Sequence, residues 1–102
     1  MSGRQFFSSG SWSEKRGPVI RIGLTQKAVH LLGEISYVQL PSLKSLVERD
    51  QVAVVLETCK AALDIESPLT GTVVTINTRL DQDPDLLNQD PEGEGWLYEI
   101  HS

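Results

Sequence analysis

The feature that most constrains this chain is the run Val52 to Thr72, VAVVLETCKAALDIESPLTGT, in which two apolar-patterned stretches flank a polar break at Cys59-Lys60. Val52, Val54 and Leu56 share one face of an extended segment before the break, and Leu63 and Ile65 share one after it. Folding the chain back at Cys59-Lys60 sets Leu56 opposite Leu63 and Val54 opposite Ile65. Both pairs then lie on one face, as a hairpin with a buried side requires. Lys60 is left in water at the tip of a rigid support. There it adds nothing to a core, but its ε-amine is open to acylation by another enzyme. Two-residue turns of the primed types demand positive φ, for which Cys and Lys are poor choices. An unprimed turn or a wider loop over Thr58 to Ala61 is therefore expected.

The rest of the chain reads as short strands between turns. Residues 1–11 are rich in Ser and Gly, carry no periodicity, and are expected to form a flexible N-terminal arm to a single domain over 12–102. Ser11-Trp12-Ser13 reads as the start of an edge strand, and KRGP at 15–18 as a turn. Val19 to Leu24 alternates, with Ile20, Ile22 and Leu24 on one face. Thr25 reads as the N-cap of a short helix carrying Ala28, Val29, Leu31 and Leu32, closed by Gly33. Ile35 to Leu40 is a strand ended by Pro41, and residues 41–50 are a polar loop anchored by Leu43 and Leu46. After the hairpin, Pro68 and Gly71 mark a turn into a strand over Thr72 to Asn77. A brief helix is expected around Asp85 to Leu87, and a last strand over Trp96 to Ile100, with Trp96 in the core. His30 reads as a surface helix residue rather than a ligand or base. Many short strands with little helix indicate a mostly β sandwich or flattened barrel with one or two short helices.

Composition removes several function classes. A length of 102 residues gives one domain with a modest core. A net charge of −5 argues against a nucleic-acid partner, which would need a basic face. No apolar run approaches a membrane span, so no membrane partner is expected. Phe6-Phe7 is too short a cluster for a signal-peptide core. The lone Cys59 excludes an internal disulfide and suits a reducing compartment, and with two distant histidines it offers no zinc spacing. No phosphate-cradling glycine motif is present, nor a Ser/His/Asp set tied by local spacing.

Glu57-Thr58-Cys59-Lys60-Ala61, then Asp64, Pro68 and Gly71, resemble the lipoyl-lysine hairpin of the glycine cleavage system H protein family. The tail is similar to that family's C-terminal signature through Asp83-Pro84, Leu86, Asn88, Asp90-Pro91 and GEGWL at Gly93 to Leu97. Gly23-Leu24-Thr25, Leu32-Gly33-Glu34-Ile35 and Gln39-Leu40-Pro41 also fit, so the resemblance covers roughly residues 19–100. It implies a lipoyl-domain-like barrel-sandwich hybrid and a non-catalytic carrier subunit. Lipoate would be attached covalently to Lys60 by a lipoate ligase or octanoyltransferase. Biotin carriers place methionine beside the modified lysine, whereas Cys59 and Ala61 flank Lys60 here, which favours lipoate.

The implied carrier shuttles an aminomethyl group and reducing equivalents among glycine decarboxylase (P protein), aminomethyltransferase (T protein) and dihydrolipoyl dehydrogenase (L protein). A reactive group on a flexible arm has a high effective concentration at each partner site without being released to solvent. Glu57 resembles the family's recognition acid, and Asp64 its acid near the arm-binding cleft. Each is equally well read as a solvent-facing strand carboxylate. A cytoplasmic monomer is expected, mitochondrial if the source is eukaryotic. The sequence departs from the family in three places. Gly10-Ser11-Trp12 stands where members have His-Glu-Trp, whose glutamate helps hold the loaded arm, and Glu14 is the nearest acid that could substitute. Cys59 replaces an aliphatic residue. No counterpart of a C-terminal helix follows the last strand. These departures keep open an alternative, an H-like lipoyl relay or redox carrier not dedicated to glycine cleavage.

Overall fold

The computed structural model describes residues 3–102; Met1 and Ser2, the first two residues of the expected arm, lie outside the described residues. In chain order the elements are β1 (Arg4–Phe6), β2 (Ser11–Arg16), β3 (Val19–Leu24), α1 (Gln26–Leu32), β4 (Ile35–Gln39), β5 (Leu46–Val47), β6 (Val52–Thr58), β7 (Ala62–Glu66), β8 (Gly71–Ile76), α2 (Arg79–Gln82), α3 (Asp85–Gln89) and β9 (Tyr98–His101). The strands form two antiparallel sheets, one of order β1-β2-β3-β9-β8-β5 and one of order β4-β6-β7. The mostly β class is borne out. Among the described residues there are three short helices rather than one or two, because a single turn over Arg79–Gln82 precedes the expected one.

The core is built from the inward faces of both sheets. Ile22, Leu24, Val73, Tyr98 and Ile100 come from the larger sheet, and Ile35, Val38, Val54 and Leu56 from the smaller. Val29 of α1, Leu80 of α2 and Leu86 and Leu87 of α3 join the same cluster. Thr25 caps α1 as its sequence position suggests, its hydroxyl accepting from the Ala28 N–H at 3.1 Å. Gly33 closes the helix at φ 88°, a backbone region that favours glycine.

Four local expectations are corrected. Leu43 and Leu46 do not anchor the 41–50 loop; they are 53% and 62% exposed, and Val47 is the buried residue. Pairing of Leu46 with Thr72 and Val47 with Gly71 turns only Val47 inward, since side chains alternate across a strand. Val52 does not share the buried face of Val54 and Leu56, because the register shifts between Val52 and Val54 and leaves Val52 exposed. Ser11–Arg16 is not an edge strand, since β1 covers its outer side. Residues 4–6 of the expected arm are that strand. Finally, the last strand begins at Tyr98, and Trp96 is half-buried, stacked 4.3 Å from the Arg21 guanidinium. The fully buried tryptophan is Trp12.

Trp12 lies outside the main core cluster. It shares the outer face of β2 with Glu14, opposite Gly23, where a Cβ would stand 2.6 Å from the indole ring. The Arg4 guanidinium covers the ring at 4.0 Å. The indole N–H donates to the carbonyls of Leu24 at 2.9 Å and Pro91 at 3.1 Å, which ties the N-terminal strands to the tail. A row of opposite charges crosses the same sheet face. Arg4, Glu14, Arg21 and Glu99 are successive cross-strand partners, with ion pairs of 2.9 Å at Arg4–Glu14 and at Arg21–Glu99.

Candidate functional site: a lysine at the tip of a hairpin

β6 and β7 form the hairpin in the register read from the sequence, with Leu56 opposite Leu63 and Val54 opposite Ile65. Val54 and Leu56 are fully buried, and each contributes about 1.5–3 kcal/mol by removal of its side chain from water. β4 pairs along the other side of β6, with Val38 beside Leu56. The strand leading to the tip is therefore paired on both sides.

The turn is wider than a primed two-residue loop. The last register pair is Glu57 with Ala62, and the Thr58 N–H donates to the Ala61 carbonyl at 2.9 Å. Neither Cys59 nor Lys60 has positive φ, as expected. The Thr58 hydroxyl oxygen accepts from the N–H groups of Lys60 at 3.2 Å and Ala61 at 3.3 Å. Thr58 thus clamps the backbone under the lysine from two residues away, a role the sequence reading missed. Its signal is a hydroxyl residue directly before a turn, where such side chains bond the backbone ahead. Lys60 is exposed, and its side chain makes no ion pair among the described residues. Cys59 is exposed as a free thiol.

Glu57 and Asp64 are both exposed and share the outer face of the hairpin, since Glu57 pairs with Ala62 and Val55 with Asp64. Tyr37, 47% exposed, pairs with Glu57 on the same face. Glu66 follows Asp64 on that face, farther from the tip. Three carboxylates and one aromatic therefore share the outer face of the sheet that carries the lysine, with no basic residue from the three strands among them.

Two clefts share the Phe7–Ser9 segment as a wall, and the smaller reaches the base of the hairpin at Glu66. One, of about 440 Å³, is walled by Phe7, Gly10, Ala28 and Leu31, with Lys27 as its charged group. Gly10 is required at its floor, because φ is +95° and a Cβ would come within 2.8 Å of Ala28. The other, of about 160 Å³, brings Ser8 and Ser9 against Arg49, Asp50 and Glu66. Asp64 lines neither.

Ser11, the residue before Trp12, is buried on the core-facing side of β2, opposite Leu24. Glu14 cannot take its place. Three residues along a strand reverse the face, and Glu14 is held on the outer face by Arg4 at 2.9 Å and Arg16 at 2.7 Å. His30 is exposed on α1, as expected.

The chain matches the family model described as "Glycine cleavage H-protein" over residues 4–102. It is 37% identical over 100 residues to the glycine cleavage system H protein of Thermotoga maritima, covering 98% of this chain and 81% of that protein. It is 43% identical over 89 residues to the glycine cleavage system H protein of Acinetobacter baumannii, covering 87% and 72%. Its fold is similar to the crystal structure of a glycine cleavage system H protein from Mycobacterium marinum, with a TM-score of 0.89 and 31% identity over 96% of this chain and 82% of that one.

Proposed function

The chain belongs to the glycine cleavage H-protein family, and we propose that Lys60 is the residue through which it carries lipoate. The protein is a lipoyl carrier of glycine cleavage that shuttles an aminomethyl group and reducing equivalents. The alternative, a relay not dedicated to glycine cleavage, is not favoured, since the relatives are glycine cleavage H proteins.

The observation that carries the assignment to Lys60 is its position. An exposed primary amine stands at the tip of a hairpin whose leading strand is paired on both sides and whose turn is clamped by Thr58. The residues present fit the group. A ligase needs a reachable amine, and the attached acyl chain needs a stiff base and open solvent around it. Lipoate attached there supplies a dithiolane that exchanges thiol and disulfide states and accepts the one-carbon cargo. The chain's own contribution is mechanical and electrostatic. Lys60 anchors the arm, Thr58 fixes its root, and the carboxylates of Glu57 and Asp64 mark the face that a modifying enzyme meets. The protein then acts without a catalytic residue of its own, in the cytoplasm or in mitochondria if the source is eukaryotic, as a monomer. It is modified by a lipoate ligase or octanoyltransferase, and it visits glycine decarboxylase, aminomethyltransferase and dihydrolipoyl dehydrogenase.

Peptide mapping after co-expression with a lipoate ligase tests the assignment. Modification is expected on Lys60 and not on Lys15, Lys27 or Lys44, and Lys60→Arg is expected to abolish it. Modification persisting in Lys60→Arg would refute it.

A further inference from the structure

We propose that Thr58 is a positioning residue for the modification of Lys60: its hydroxyl holds the turn in the conformation that a modifying enzyme accepts. This deepens, and rests on, the reading of Lys60 as the attachment site. A hydroxyl has one proton to donate and two lone pairs with which to accept. All three are used inside this turn. Thr58 Oγ1 accepts from the Lys60 N–H at 3.2 Å and the Ala61 N–H at 3.3 Å, and it donates to the Ala61 carbonyl at 3.4 Å. The same carbonyl accepts from the Thr58 N–H at 2.9 Å. Thr58 also ends β6 opposite Ile35 of β4, so sheet pairing fixes the residue from which the hydroxyl projects. Branching at its Cβ restricts χ1 and with it the direction of the oxygen.

Thr58 supplies the one side chain that braces this turn among the described residues. Cys59, Lys60 and Ala61 are all exposed, so no apolar side chain anchors the turn to the core. No glycine or proline stands between Thr58 and Ala61 to set the backbone. The root of the lysine is therefore fixed where its backbone N–H meets Thr58. In acylation, Nζ attacks the carbonyl of an acyl-adenylate held by the modifying enzyme. The amide C–N bond forms, the acyl–phosphate bond breaks, AMP leaves and Nζ gives up a proton. The amine reaches that carbonyl only when the turn beneath it seats on the enzyme. A turn that samples several conformations binds with an affinity reduced by the fraction that fits. The hydroxyl thus acts on how the carrier is bound and leaves the reactivity of the amine as it is.

The test is steady-state modification of the full chain by a lipoate ligase, with the carrier concentration varied. Thr58→Val keeps the branched shape and the strand preference while removing the hydroxyl. Its KM for the carrier is expected to rise about three- to tenfold with kcat unchanged, the scale of one modest hydrogen bond. Thr58→Ser is expected to bring KM back to within about twofold of wild type, since it keeps the bonding group. Solvent exchange of the Lys60 and Ala61 amides, followed by NMR, should be faster in Thr58→Val and close to wild type in Thr58→Ser. An unchanged KM in Thr58→Val, a fall in kcat alone, or failure of Thr58→Ser to restore KM would overturn the proposal. A raised KM with unchanged amide exchange would also overturn it, because the enzyme would then be touching the hydroxyl directly. Absence of the lipoyl mass increment on Lys60 in the wild-type chain would instead overturn the attachment-site reading, and the role of Thr58 with it.

Discussion

Leu56→Ala should destabilise the protein strongly while Val52→Ala does not, although the two residues stand four apart in one alternating run. Leu56 is fully buried between Val38 of β4 and Leu63 of β7. Both neighbours are fixed by sheet hydrogen bonds, so the space left by truncation cannot close. Leucine-to-alanine changes at buried sites cost about 2–5 kcal/mol, and about 3 kcal/mol is the expectation for a site with limited collapse. In a domain of this size each kcal/mol lowers Tm by about 4–8 °C, which gives a drop of about 12–24 °C. Val52 is 49% exposed because the register shift separates it from the buried face. Its truncation should cost under about 1 kcal/mol. Urea unfolding followed by circular dichroism measures both as midpoint shifts at constant slope. A shift for Val52→Ala equal to that for Leu56→Ala would refute the irregularity as the reason these residues differ. A cost for Leu56→Ala below about 1 kcal/mol would refute the tight two-sided packing of β6.

Three further predictions concern single groups. The hydrogen bond from Arg4, aided by Arg16 and opposed by burial, holds the Glu14 carboxyl below its ordinary value of 4.5. That contribution is present above 4.5 and lost as pH falls through the lower folded value. The stability difference between wild type and Glu14→Gln should therefore shrink in acid, and a difference constant with pH would contradict it. Burial pushes the Tyr98 hydroxyl from 10.0 up to about 12, against the hydrogen bond it makes to Ser67. Its contribution is full below 10.0 and declines as pH rises towards about 12, so Tyr98→Phe should flatten the alkaline limb of the stability profile; equal slopes would count against it. Cys59→Ser should leave ligase modification of Lys60 unchanged, because the thiol is exposed in the turn and the clamp comes from Thr58. A large fall in the modification rate would show that the thiol takes part in recognition.

The hairpin could be read in advance because strand periodicity is two and one polar break interrupts it. Once the fold-back point is placed, every cross-strand pair follows. The cap at Thr25 and the stop at Gly33 were legible for the same kind of reason, since each depends on neighbours within one helical turn. Irregularities were not legible. The register shifts between Ile35 and Tyr37, Val52 and Val54, and Val73 and Thr75 leave no mark in the apolar pattern, yet one of them moves Val52 from core to solvent. Leu46 and Val47 failed for a related reason. Two adjacent apolar residues do not say which one turns inward until a partner strand fixes the face. Glu14 was nearest in sequence to the missing acid, but nearness along a strand says little when the face alternates at each residue.

The tail shows how residues far from the lysine support it. No periodicity marks the run from Asp83 to Leu97, because its order comes from side chains bonding distant backbone. Asn88 accepts from the Ile35 N–H at 2.9 Å and donates to the Gly33 carbonyl at 2.8 Å, which sets where α1 ends and β4 begins. Asn77 donates to the carbonyls of Glu94 at 2.9 Å and Trp96 at 2.8 Å, and Asp90 accepts from the Glu94 N–H at 2.9 Å. Pro91 in turn receives the Trp12 indole N–H. The tail therefore holds β4 at one end and β2 at the other. β4 flanks the strand that leads to Lys60, and β2 continues from the Phe7–Gly10 turn that walls both clefts. The stiffness a carrier lysine needs is built in this way: a local turn positions the amine, and the half-buried amide of Asn88, in the tail, fixes the start of the strand that braces it.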